Sequence, residues 1–163
     1  MDSIQSRNDE TAVDRRRLSV DVTLALRELR GQLSLLQYQV GARLDLRTVD
    51  LDCLDLIARF GPLSPSTLAR RAGLHPATMT GILDRLEKGR WIVRDRDPSD
   101  RRAVVVRPTQ GRAVEIVRQY AGMIAAMEEI CAGYDEAQLA LIAGFLRRAA
   151  EAGRRSAERL GED

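Results

Sequence analysis

The chain is poor in the residues that metal and redox chemistry require. Its 163 residues include one histidine and two cysteines. Cys53 and Cys131 stand too far apart for a C-x-x-C motif or a zinc-ligand spacing. Nor is there a phosphate-cradling glycine loop, so nothing in the sequence resembles an active site, and neither an enzyme nor a cofactor is expected. No apolar run approaches the roughly 18 residues that a membrane span needs. The first residues are polar and acidic rather than basic and then apolar, unlike a signal peptide. A soluble, cytoplasmic protein with no membrane partner is the expectation. Lysine is nearly absent, Lys88 being the only one, so the positive charge is arginine. Aromatics make up 4% of the chain against 31% charged and 44% hydrophobic residues, which points to a helical, charge-laced protein with a real core.

The formal net charge is only +2, but its distribution is uneven. Residues 59–118 carry 13 basic and 6 acidic side chains, a local +7, and the remainder of the chain is −5. A basic middle between acidic flanks is the electrostatic footprint of a protein whose middle faces phosphates.

The chain is organised around residues 64–111. Ser64-Pro65 reads as an N-cap followed by a first-turn proline, opening a helix that buries Leu68 and Ala69. Gly73 suits the left-handed residue that ends it, and Leu74 plugs the turn. His75-Pro76 opens a second helix, in which Met79, Ile82, Leu83 and Leu86 fall at offsets 0, 3, 4 and 7 and face inward. The opposite side presents Ala77, Thr78, Thr80, Gly81, Asp84 and Arg85, short at its N-terminal end, where a helix approaches base edges closely. A threonine face alone is usually just solvated. The hairpin that follows adds the weight: residues 91–93 and 103–106 are β-rich runs joined by a tip with Asp97-Pro98, a turn starter, and the adjacent Arg101 and Arg102. Guanidinium groups at such a tip suit the negative potential of a narrow minor groove. Asp100, two residues from Arg102, is placed to hold that side chain extended by a charge-assisted pair.

The flanks are helical. Leu18, Val22, Leu26, Leu29, Leu33, Leu36, Val40 and Leu44 form one stripe along a helix predicted to start near Val13, longer than a small domain needs for its own core. Leu51, Leu54, Ile57 and Ala58 mark a shorter helix stopped by Gly61-Pro62, with Cys53 as a small buried hydrophobe inside it. After the hairpin, one stripe runs through Ala113, Ile116, Val117, Tyr120, Ile124, Met127 and Ile130. Asp135 then caps a last helix carrying Leu139, Ile142, Phe145, Leu146 and Ala149. The organisation expected is a disordered 1–12, an N-terminal dimerisation helix over 13–46, a DNA-binding region over 47–111 and C-terminal dimerisation helices over 112–160. In class, this is a mainly α fold with a small β-hairpin wing, a winged helix-turn-helix with long terminal helices.

The stretch LARRAGLHPATMTGILDRLEKGRWIVR followed by DPSDRRAVVVRPTQGR resembles the MarR family of winged-helix transcriptional regulators. Asp100 and Arg102 match the D-x-R of the family's wing, and Thr109 and Gly111, the glycine one step early, match its Thr-x-x-Gly start of the next helix. The resemblance implies a homodimer with interleaved terminal helices, binding a pseudo-palindromic double-stranded DNA operator. It also implies a repressor released by a small-molecule effector held between the first, second and fifth helices, where Tyr38, Cys53 and Tyr120 lie. Core packing explains those three equally well, so no ligand residue follows. The expected DNA contacts are Arg70, Arg71, Ala77, Thr78, Thr80, Arg85, Arg94, Arg101 and Arg102, with Asp100 orienting the wing. Gly81 stands where the family often has arginine, with Arg85 one turn later as its substitute, and His75 occupies the usual Ser or Thr cap position. No cysteine lies near the start of the first helix, which argues against an oxidation sensor. The competing reading is a winged-helix protein-interaction module, against which the basic middle argues.

Overall fold

A computed structural model of the chain describes residues 2–96 and 103–161, with side chains described from Asp14 onward. Eight elements follow in order: α1 (Asp2–Leu44), α2 (Thr48–Phe60), α3 (Pro65–Ala72), α4 (Pro76–Lys88), β1 (Ile92–Arg96), β2 (Val104–Pro108), α5 (Arg112–Ala132) and α6 (Glu136–Leu160). They fall into two units, residues 1–48 and 49–163.

The first unit is α1 and the turn after it. The helix begins at Asp2, before the apolar stripe that predicts it, because residues 2–30 contain neither proline nor glycine to stop it. Residues 2–12 of the stretch expected to be disordered lie within α1. Leu46 closes the C-terminal end, its N–H donating to the Gly41 carbonyl at 2.9 Å. Leu18, Val22, Leu29 and Leu33 of the stripe stand exposed, and only its C-terminal Val40 is buried. Val20, Leu24 and Leu35 are exposed as well, so α1 carries apolar side chains on more than one side.

The second unit holds the core. Leu51, Cys53, Leu54 and Ile57 of α2, Leu68 and Ala69 of α3, and Met79, Ile82, Leu83 and Leu86 of α4 are buried together with Trp91, Ile92, Val105 and Val106. Helix α3 packs on α4 and on β2, and α4 packs on β1. The strands pair antiparallel in a register that sets Ile92 opposite Pro108 and Arg96 opposite Val104. Leu63 adds an isolated one-residue bridge to β2: its N–H donates to the Val106 carbonyl at 3.3 Å, and the Val106 N–H returns a bond of 2.8 Å. A single bridging residue leaves no alternation for a sequence to show, so this bridge was not foreseen.

Helix α6 starts on a full capping box. Asp135 accepts from the Gln138 N–H at 2.8 Å while the Gln138 side chain accepts from the Asp135 N–H at 2.9 Å. Neither α5 nor α6 has a buried residue. Val117, Ile124, Met127 and Ile130 on α5, and Leu141, Ile142, Phe145 and Leu146 on α6, are exposed.

Candidate nucleic-acid interface

The helix-turn-helix is held by local chemistry at each junction. The Thr67 N–H donates to Ser64 Oγ at 3.2 Å, and Pro65 takes the first helical position, which has no use for an N–H. Gly73 ends α3 at φ 65°, a left-handed conformation that a side chain would strain. The Leu74 N–H then reaches the Ala69 carbonyl at 2.9 Å, closing the turn. His75 caps α4 in place of a hydroxyl residue: its Nδ1 accepts from the Ala77 N–H at 3.3 Å. The imidazole thus supplies the acceptor that Ser or Thr would give, and α4 opens on Pro76 as the sequence predicts. Gly89 caps the other end, where an added Cβ would lie 2.8 Å from Trp91 Cδ1. Trp91 is buried, and the Arg112 guanidinium lies 4.2 Å over its ring while donating to the Gly89 carbonyl at 2.9 Å. These contacts fix the direction in which the chain leaves α4 for the wing.

The outer face of α4 carries Ala77, Thr78, Thr80, Gly81, Asp84 and Lys88, all exposed. Thr80 Oγ1 donates back to the Pro76 carbonyl at 3.1 Å, leaving its lone pairs for a partner. Arg70 and Arg71, in the last turn of α3, are exposed. The Arg71 guanidinium stacks 4.0 Å over the half-exposed Phe60 ring, which Arg59 approaches from 5.5 Å.

Two of the arginines expected at DNA, Arg85 and Arg94, have partners inside the protein. Arg85 grips Asp50 of α2, Nε to Oδ2 at 3.1 Å and Nη2 to Oδ1 at 2.5 Å. Asp50 is fully buried, and a buried carboxylate needs such a fork to offset its lost hydration. The hydrogen bonds that Arg85 donates to Asp50 raise its pKa above the ordinary value. Arg85 ties α4 to α2 through this pair. Arg94 of β1 pairs with Asp84 at 2.5 Å and approaches Glu87 at 3.4 Å, neutralising the acidic groups of α4. Arg101, Arg102 and Asp100 lie outside the described residues.

The Asp50–Arg85 pair was missed by sequence reasoning although a signal was present. Asp50 falls three, four and seven residues before Cys53, Leu54 and Ile57, on the inward stripe of α2. A carboxylate on such a stripe calls for a buried cation. Beside it, Cys53 is completely buried; burial first, then Asp50 and Asp52, push its thiol up to about 11, against a smaller opposing pull from Arg85. It is a core residue, closed to any ligand. Tyr120 of α5 is half-buried, and burial, with Asp52 and Asp55, raises its pKa. Among the described residues no group of histidine, cysteine and acidic side chains could hold a metal ion, and no helix is long and apolar enough to cross a membrane.

A capped helix-turn-helix with an antiparallel hairpin behind it defines a winged-helix protein of the DNA-binding class. Known proteins agree. The MarR family profile matches residues 47–104. The uncharacterized HTH-type transcriptional regulator YcgE of Bacillus subtilis (strain 168) is 32% identical over 131 residues, covering 80% of this chain and 85% of YcgE. Among solved structures, a MarR family protein from Bacillus stearothermophilus superposes with a TM-score of 0.66 at 16% identity, covering 85% of this chain and 97% of its own. A mutant of S. aureus MepR bound to an oligodeoxyribonucleotide gives 0.54 at 16% identity, covering 80% and 96%. The chain belongs to the MarR family and is a helix-turn-helix transcriptional regulator.

Proposed function

We propose that the protein is a dimeric repressor that binds a pseudo-palindromic operator and leaves it when a small molecule binds. The observation that carries the DNA reading is the outer face of α4. It is exposed and short-chained at its N-terminal end, while the opposite face is locked into the core by Met79, Ile82, Leu83 and Leu86. A rigid helix with a free small-residue face is what entering a major groove requires. Arg70 and Arg71 beside it supply phosphate contacts, and Arg101 and Arg102 of the wing reach the minor groove. The likeness in fold to a MepR mutant bound to an oligodeoxyribonucleotide supports the same use here.

Dimerisation is supported by the uncovered apolar side chains of α1, α5 and α6. Soluble proteins rarely leave so many large apolar side chains in water, and a two-fold pair of chains would cover them while setting two α4 helices at operator half-sites. Release by a small molecule follows the family resemblance, with Tyr120 on the helix that would face it.

The test is a salt titration of binding to the DNA upstream of the protein's own coding region, beside a scrambled duplex and the Arg102→Ala variant. A steep loss of affinity with salt, discrimination against the scrambled duplex, and a loss of about 1–3 kcal/mol in the variant are expected. Equal and weak binding to both duplexes would overturn the regulator reading in favour of a protein-interaction module.

A further inference from the structure

Gly81 is the one glycine inside a helix of the helix-turn-helix, and nothing among the described residues asks for it. A Cβ built there meets no atom within 4 Å, and its φ is not positive. A glycine in a helix interior costs stability relative to alanine, so its return lies in what approaches from outside. On the helix surface its neighbours are Ala77 and Thr78 one turn before and Asp84 and Arg85 one turn after. The longer pair is already engaged: Arg85 gives its Nε–Nη2 edge to Asp50, and Asp84 is held by Arg94. That edge is one a guanine O6 and N7 would otherwise take, and an aspartate neutralised by arginine is a poor acceptor for cytosine N4. What remains at the centre of the face is the Ala77 methyl, Thr78, Thr80 and the bare backbone at Gly81.

Resting on the reading of α4 as the DNA-facing helix, we propose that Gly81 is a specificity-determining residue. Its missing side chain lets the α4 backbone sit close to the floor of the major groove, so that Ala77 and Thr78 read thymine methyl groups rather than guanine edges. Apolar contact with the C5-methyl group is the readout available to alanine and to the threonine methyl. Without a Cβ at position 81, those two side chains are brought within contact distance.

The full chain is used to select duplexes from a random pool, and the chosen duplex is then altered one base at a time within each half-site. Thymine is replaced by uracil, which removes only the methyl group, and guanine by 7-deazaguanine, which removes only N7. One or two uracil substitutions are expected to weaken binding about fourfold each, the equivalent of one buried methyl group, while 7-deazaguanine leaves it within about twofold. Gly81→Ala is expected to melt no lower than the wild type, because alanine favours the helix, yet to bind about tenfold more weakly and lose the uracil effect. Two results would overturn the assignment: uracil without effect where 7-deazaguanine weakens binding, or Gly81→Ala binding the selected duplex as the wild type does. A wild type that enriches no duplex from the pool removes the regulator reading itself, and this inference with it. Enrichment without the uracil effect removes the inference alone.

Discussion

Between Leu51 and Val106 most large apolar side chains are covered by their own chain, whereas along α1, α5 and α6 most stand in solvent. Both regions are written with helical periodicity, so the difference lies in what the stripes meet. The stripes of α2, α3 and α4 converge with Trp91, Ile92, Val105 and Val106 into one core, and the caps at Ser64, Gly73 and His75 hold that packing in place. The stripes of the three long helices find no such cover. A lobe that is complete on its own can be held rigid for reading DNA, and helices that are incomplete on their own are suited to joining two lobes at a set spacing.

A charge on the uncovered face breaks the comparison most severely. Phe145→Asp is expected to weaken the proposed dimer by about 3–6 kcal/mol, since each protomer loses a buried large side chain worth about 1.5–3 kcal/mol. Sedimentation equilibrium would read this as a rise of at least about 100-fold in the dissociation constant. Operator binding should fall in parallel while the helical circular dichroism of the lobe persists. In the covered region the Cys53 thiol, raised to about 11 from 9.0, gives a pH signature. Its stabilising contribution is whole below pH 9 and is lost as pH rises towards 11, because only the unfolded chain can then form the thiolate. Urea midpoints should therefore fall across that window by the equivalent of up to about 1.4 kcal/mol per pH unit, and Cys53→Ala should flatten that slope.

Smaller effects sharpen the picture of how α4 is held. Arg85→Ala removes both guanidinium bonds to buried Asp50 and is expected to destabilise the fold by on the order of 2 kcal/mol in urea denaturation. Solvent access to Arg85, whose side chain is 35% exposed, keeps the figure below that of a fully buried pair. His75→Ala should cost about 1 kcal/mol through the lost cap, and His75→Ser should restore most of it, as thermal melting would show.

The helix-turn-helix was legible because its signals are local: a cap with proline behind it, a turn glycine, and inward positions at helical spacing. The four inward residues of α4 and the αL glycine of the turn are where those signals put them. Asp135 capping α6 follows from the same kind of signal. What the sequence hid is long-range. Arg85 meets Asp50 across 35 positions, and Leu63 meets Val106 with α3, α4 and β1 between them in the chain, neither of which periodicity reports. Arg85 and Arg94 looked like DNA ligands because an arginine on an exposed helix or strand has no partner in a linear reading. The fold gives them carboxylates, which leaves the short side chains of α4 as the centre of the proposed reading face. Helix α1 starts at Asp2 rather than near Val13 for a different reason, since a helix without a breaker continues beyond the first residue of its apolar stripe.

The most direct test of the account is the number of chains on one operator. Native mass spectrometry of the full chain, alone and with the duplex it selects, should give two chains in solution and two chains per duplex. One chain alone and one chain per duplex would contradict the account, because the apolar faces of α1, α5 and α6 would then have no second copy to cover them and the operator no two-fold reader.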